Sequence, residues 1–203
     1  MIKKFFGKFQ YNAPVILTFT LISFCVLMVN QLTHGAANTA VFSIYRCGWL
    51  NPMQYVRMVT YIFGHADYSH FINNFTIILL VGPMLEEKYG SKPLIKMIAM
   101  TAIVTALVQV IFFGKTGLLG ASGIAFMLIL LSSFANYQKG KIPITLILVA
   151  LIYLAGEIVD GVFAKDNISQ MAHIIGGFCG CIFGWAITKP ARAAESSSSD
   201  SVI

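Results

Sequence analysis

Apolar positions fall into six long stretches along the chain, separated by shorter polar segments. Each stretch approaches the roughly 20 residues that a helix needs to cross the hydrocarbon core of a bilayer. A helix satisfies its own backbone hydrogen bonds, whereas an open sheet edge cannot exist in hydrocarbon. The pattern therefore predicts an all-α membrane protein, a single bundle of six transmembrane helices at residues 13–29, 68–85, 95–113, 118–135, 142–162 and 168–187.

Composition supports this interpretation, since 57% of the 203 residues are hydrophobic and only 11% are charged. A soluble domain carries more charge on its surface. The formal charge of +6 could suggest nucleic acid, but the basic residues form short clusters between apolar stretches and no continuous basic stripe. The four cysteines lack paired C-x-x-C spacing, so we expect neither a zinc site nor a disulfide framework.

The basic residues also predict the orientation, because Lys and Arg are enriched on the cytoplasmic side of a membrane. With the N-terminus inside, ten of the 14 basic residues are cytoplasmic and four are external. Both termini are therefore predicted to be cytoplasmic. The second, fourth and sixth stretches then run from the outer to the inner side.

The chain divides into a cytoplasmic N-terminal segment (1–12), a membrane domain (13–188) and a Ser-rich tail (189–203) that we expect to be disordered. A signal peptide is a weaker interpretation of the first stretch, which exceeds most signal cores in length. The one long loop, 30–67, contains Trp49, Tyr55 and Tyr61. These aromatic residues suit a segment at the membrane interface, although a small separately folded lid would look the same.

Three polar side chains are predicted to lie at one depth. An α-helix rises about 1.5 Å per residue. This rise places three side chains about 20 to 24 Å above the inner end of their apolar stretches: Ser122, His173 and His70. Nucleophilic or ionisable side chains in a membrane should face the bundle interior or a wet cavity. The three residues therefore predict one site in the outer third of the bundle.

Ser122 lies in the segment Gly120-Ala121-Ser122-Gly123. Flanking glycines would leave room for a substrate carbonyl beside a nucleophilic serine. The motif alone is weak, because Gly and Ser are also common where membrane helices pack together.

His173 is followed by Gly176, Gly180 and Gly184, which lie along one stripe of a helix. If the fourth helix packs on that stripe, His173 could reach Ser122 and act as its base without a third carboxylate. The competing interpretation is a glycine-lined packing face whose histidine bonds a backbone carbonyl.

His70 and Asn74 lie four residues apart, on one face of the second helix. Both side chains can donate hydrogen bonds to the negative charge that develops on a carbonyl oxygen during peptide hydrolysis, alongside the backbone N–H of Ser122. A polar helix cap at the membrane interface would show the same pair.

With these residues the chain resembles the rhomboid family of intramembrane serine proteases. The G-x-S-G, H-x-x-x-N and A-H-x-x-G-x-x-x-G motifs of the family appear at residues 120–123, 70–74 and 172–180. The resemblance implies Ser122 as nucleophile, His173 as base, and an oxyanion hole formed by His70, Asn74 and the Ser122 amide. It implies no cofactor and no metal.

The resemblance extends to structural positions and has two departures. Arg57 opens an R-x-x-T-x-x-F-x-H pattern in the outer loop, and Glu86 belongs to a G-x-x-x-E element whose glutamate bonds buried backbone groups in the family. Val56 stands where the loop usually carries Trp. Phe126 stands where many members carry Tyr against the catalytic histidine, so packing should survive without the hydroxyl.

The implied function is hydrolysis of peptide bonds in or near the transmembrane segments of single-pass membrane proteins, with substrate entering past residues 142–162. The lack of a transit-peptide composition favours a bacterial plasma membrane, and the family's cavity implies a site that opens to the outer side. A catalytically inactive rhomboid-like protein that binds membrane clients is the first alternative. The second is a metal-dependent membrane protease or transporter whose ligands are His65, His70 and His173 with Glu157 or Asp160, although no H-E-x-x-H motif occurs.

Overall fold

The computed structural model describes residues 10–114, 116–135, 141–149, 151–152 and 167–188. Within these ranges a π-helix (Asn38–Phe42) and a 3₁₀-helix (Tyr61–Phe63) accompany the α-helices. The α-helices are α1 (Pro14–Leu32), α2 (Pro52–Thr60), α3 (Tyr68–Tyr89), α4 (Ser91–Phe112), α5 (Ser122–Ser132) and α6 (Asn167–Thr188).

Four of the described helices are long and apolar enough to cross a membrane: α1, α3, α4 and the segment Gln170–Ile187 of α6. The chain is thus a helical integral membrane protein. About half of the predicted fifth span, 142–162, lies outside the described residues, and in its described part residues 144–149 and 151–152 are helical. Residues 1–9 of the predicted N-terminal segment and all of the tail at 189–203 also lie outside them.

The fourth predicted span begins later than its apolar pattern suggested. Residues 118–121 are not helical, and α5 begins at Ser122 because Gly120 adopts a φ of 116°, which a helix cannot contain. With 11 residues, α5 is about 16 Å long, roughly half the hydrocarbon thickness. The prediction of a continuous helix over 118–135 was wrong at its start.

The short helix α5 lies inside the bundle, where it contacts α3, α4 and above all α6. Its side chains explain this position, since Met127, Leu128 and Leu131 are fully buried. A helix that is apolar on all sides is stable only when other helices surround it. The surrounding helices therefore hold Ser122, at the start of α5, within the protein.

Hydrogen bonds and packing attach the outer loop to the bundle. Ile44 and Leu118 form an isolated antiparallel bridge, and α2 packs against α4. The guanidinium of Arg57 is buried and donates to the carbonyls of Ala40 and Thr39. Tyr61 is also buried, contrary to an interfacial role, and donates its hydroxyl to the Ala102 carbonyl at 3.2 Å.

Glu86 connects the ends of three helices. Its buried carboxylate accepts hydrogen bonds from the backbone N–H of Val15 (2.9 and 3.1 Å) and Ile16 (3.1 Å), at the start of α1. It also accepts from the hydroxyl of Ser91 at 2.7 Å. The first N–H groups of a helix have no intrahelical acceptor, so Glu86 satisfies donors that would otherwise be buried without a partner.

We expect Glu86→Gln to lower the free energy of unfolding by about 2 kcal/mol, because the new amide would face backbone N–H groups with a donor of its own. The neighbouring Glu87 is exposed, so Glu87→Gln makes the same chemical change without touching α1. Unfolding of both variants in mixed micelles, followed by circular dichroism, tests the difference. Equal stability of the two variants would contradict the prediction.

Candidate active site

Ser122 is the first residue of α5 and is partly exposed. No helical turn precedes it to accept its N–H, and a helix N-terminus carries a partial positive charge. A hydroxyl and a free backbone donor therefore lie together, where a carbonyl oxygen that becomes negative would be stabilised. The apolar pattern did not reveal that Ser122 begins a helix, although Gly117 and Gly120 before it were signals for a helix start.

Helix α6 packs on α5 through the glycine stripe. A Cβ added at Gly176 would collide with the backbone of Gly123, lying 2.7 Å from its carbonyl carbon. A Cβ at Gly180 would strike the Met127 carbonyl oxygen, and one at Gly184 would strike the Phe134 ring. The helices approach this closely because none of these positions has a side chain.

The close packing brings His173 beside the first turns of α5. The rings of Phe126 and His173 lie 4.4 Å apart between centroids, with 41° between their planes. Phe126 is four residues after Ser122 and therefore on the same face of α5. The carbonyl oxygen of Ala172 also lies 3.1 Å from the Cβ position of Gly123. Ser122 and His173 consequently belong to one helix–helix contact.

His70 and Asn74 approach the same site from α3. A Cβ added at Gly120 would lie 2.7 Å from His70 Nε2 and 3.5 Å from Asn74 Nδ2. Gly120 is required both by this contact and by its positive φ. Asp67 caps α3 by accepting from the His70 backbone N–H at 2.8 Å, which fixes the start of this helix. His70 and Asn74 thus meet the segment that precedes α5, and His173 contacts the next turn of the same helix.

Comparison with known proteins identifies the family. The family model described as the rhomboid domain matches residues 52–190, more than half of the chain. The chain belongs to the rhomboid family. The matched range contains all four residues that converge around the start of α5.

Two curated relatives are similar to this rhomboid-family chain. YdcA of Bacillus subtilis, named as a candidate rhomboid protease, is 28% identical over 145 residues, which cover 67% of this chain and 68% of YdcA. Rhomboid-like protein 11 of Arabidopsis thaliana, named as chloroplastic, is 25% identical over 148 residues. That match covers 66% of this chain and 52% of the plant protein, about half of its length.

His65 is a polar residue of the site whose position the sequence did not reveal. It lies in the outer loop, is fully buried, and its ring contacts that of His70 edge-on at 5.0 Å between centroids. Burial, with a contribution from His70, lowers the pKa of His65 to about 4, so its imidazole is neutral at neutral pH. Its position after Phe63 in the loop pattern was the available signal.

The two departures from the rhomboid pattern differ in their surroundings. Val56 is exposed on α2, so the missing Trp leaves no gap in the core. Phe126 keeps the aromatic contact with His173 described above. Thr60, on the same face as Val56, donates its hydroxyl to the Val41 carbonyl, and this bond helps to seat the loop without the Trp.

The histidines do not form a metal-binding cluster in the described part of the chain, where no three His, Cys, Asp or Glu side chains lie close enough together to bind one ion. Glu157 and Asp160, which the metal hypothesis requires, lie outside that part. His65 Nε2 instead contacts the Asn74 amide nitrogen at 3.1 Å. This contact favours His65 as a hydrogen-bonding partner of Asn74 over a role as a metal ligand.

Proposed function

We propose that the protein is an intramembrane serine endopeptidase in which Ser122 is the nucleophile and His173 is the general base. His70, Asn74 and the backbone N–H of Ser122 form the oxyanion hole. The substrates are single-pass membrane proteins cleaved in or near their transmembrane segments. Membership of the rhomboid family supports this class of activity.

The reaction proceeds through an acyl-enzyme. The Ser122 hydroxyl attacks the peptide carbonyl while His173 takes its proton, and the carbonyl oxygen becomes an oxyanion that the three donors stabilise. His173 then returns the proton to the leaving amine. Water hydrolyses the ester in a second attack, again with His173 as base, and Ser122 is regenerated.

The observation that carries the proposal is the contact between Phe126 and His173, one helical turn from Ser122. Because Phe126 and Ser122 lie on one face of α5, the contact puts the imidazole on that face as well. The positive end of α5 lies one turn away, at Ser122, and this supports a shared site for the proposed base, nucleophile and oxyanion donor.

We propose six spans with both termini in the cytoplasm, the fifth formed by residues 142–162, and a bacterial plasma membrane as the location. The distribution of basic residues supports this orientation. Ser122 then opens toward the outer side. A substrate helix must unwind to expose its scissile bond, so small or helix-breaking residues are expected near the cut.

Covalent labelling tests the nucleophile directly. A fluorophosphonate probe reacts with a serine whose hydroxyl is activated by a base, so we expect the purified protein to be labelled at Ser122. Ser122→Ala should abolish labelling, and His173→Ala should slow it by about 10² to 10⁴-fold. In-gel fluorescence and peptide mass spectrometry measure the extent and the site.

Heat-denatured protein is the control for nonspecific reaction. A folded wild type that resists the probe and leaves single-span substrates intact would refute the protease proposal. It would favour the inactive rhomboid-like protein that binds membrane clients.

A further inference from the structure

The imidazole of His65 joins the outer loop, α3 and the segment before α5. Its Nδ1 lies 3.2 Å from the carbonyl oxygen of Phe63. Its Nε2 lies 3.1 Å from the amide nitrogen of Asn74 and 3.4 Å from the backbone nitrogen of Ala121. The ring is fully buried, so these are the contacts that must satisfy its polar atoms.

These contacts determine the tautomer of His65. A carbonyl oxygen can only accept, so Nδ1 carries the hydrogen and donates it to Phe63. In the neutral ring Nε2 is then an acceptor, which matches the N–H groups of Asn74 and Ala121 on that side. Protonation of Nε2 would set a donor against these two donors.

We propose that His65 is a positioning residue for the oxyanion hole, in which its Nε2 fixes the amide of Asn74 and the backbone of Ala121. This inference rests on the proposed protease function. His65 itself does not touch the substrate. It acts through Asn74 on one side and through the residue that immediately precedes Ser122 on the other.

The geometry leaves Asn74 ready to bind an oxyanion. An Asn amide has two hydrogens, and the bond to His65 uses one of them. The second remains available, and Asn74 Nδ2 lies near Gly120, with 3.5 Å to the Cβ position of that glycine. Without His65 the amide could rotate or bond elsewhere, and its donor would no longer be preorganised.

The Ala121 contact gives His65 a second effect. The Gly120 N–H donates to the Tyr61 carbonyl at 3.0 Å, so the segment before α5 is held at two successive residues. The two acceptors, the Tyr61 carbonyl and His65 Nε2, both belong to the segment just before α3. The Ser122 N–H belongs to the next peptide plane, which is joined to the anchored one through Ala121 alone, so a shift of this anchor would also move the Ser122 N–H. His65 therefore aligns two of the three proposed oxyanion donors.

Two substitutions separate positioning from a general structural role. Gln places a side-chain oxygen near the position of Nε2, whereas Asn ends near Nδ1 and leaves the Nε2 position empty. We expect His65→Asn to lower kcat for a single-span substrate by about 10 to 100-fold, with KM changed less than about twofold. The kcat of His65→Gln should be at least about fivefold higher than that of His65→Asn.

The ratio of the two kcat values decides the outcome, with melting temperatures in detergent measured in parallel. A ratio near one, or losses that only follow thermal stability, would overturn the inference. An inactive wild type would instead show that the proposed function itself has failed.

The tautomer is tested in the wild type, so the inference stays falsifiable if a variant does not fold. Nitrogen NMR of the protein labelled in its four histidines distinguishes a protonated from an unprotonated ring nitrogen. We expect one neutral histidine with hydrogen on Nδ1 and a hydrogen-bonded, unprotonated Nε2, whose signals disappear in His65→Gln. Hydrogen on Nε2 of His65 would contradict the proposal.

Discussion

Ser122→Ala is expected to lower the turnover of a purified single-span substrate by about 10³-fold or more, while the protein stays folded. The substitution removes the only atom that can form the acyl-enzyme in the proposed reaction. The helix start is retained, because the Ser122 side chain does not cap α5. Product formation on gels and the melting temperature in detergent are the two measurements.

Ser132→Ala is the matched control, since it deletes a hydroxyl from the last residue of the same helix. Among the residues that the structure describes, that hydroxyl bonds only the Ile129 carbonyl, at 2.7 Å. We expect its activity to stay within about twofold of wild type, as for other substitutions away from the site. Normal cleavage by Ser122→Ala would eliminate the serine mechanism, and loss of cleavage in both variants would point to altered packing of α5.

Gly176→Val is expected to have the largest effect on stability, lowering the free energy of unfolding by about 3 kcal/mol or more. Its side chain would enter the backbone of Gly123, which cannot move aside as a flexible side chain could. The two helices would have to separate near Ser122 and His173. We therefore expect proteolysis to be lost together with stability, as measured by activity and by unfolding in mixed micelles.

The control for this prediction is Ala186→Val, which adds bulk to an exposed position on α6. An exposed substitution of this kind should change the free energy of unfolding by no more than about 0.5 kcal/mol. If Gly176→Val were as stable and as active as Ala186→Val, the close contact between α5 and α6 would not be needed for folding or for the site.

Much of the candidate site could be predicted from the sequence because its spacing is local. The offsets from His173 to Gly176 and Gly180 and from His70 to Asn74 define helix faces without any knowledge of the fold. The apolar stretches likewise determined a helical membrane protein, since the bilayer leaves few alternatives to a helix. The motifs at residues 70–74, 120–123 and 172–180 were sufficient to suggest the rhomboid family.

Contacts between distant segments were decided by the tertiary structure. The start of α5 at Ser122 depends on Gly120 turning against His70, 50 residues earlier in the chain. Hydropathy could not reveal it, because residues 118–121 are as apolar as the helix that follows. A helix start inside an apolar stretch is set by backbone conformation, to which a hydropathy average is insensitive.

The hydrogen bonds of His65 were decided in the same way. Its position in the loop pattern favoured a structural residue over a metal ligand, but only the fold shows that its ring bonds Asn74 and Ala121. Sequence alone determined which residues are able to do the chemistry, because that ability is a property of side chains and their local spacing. Only the folded chain decided which donor faces which acceptor, because hydrogen bonds require contact within about 3 Å between segments that the sequence keeps apart.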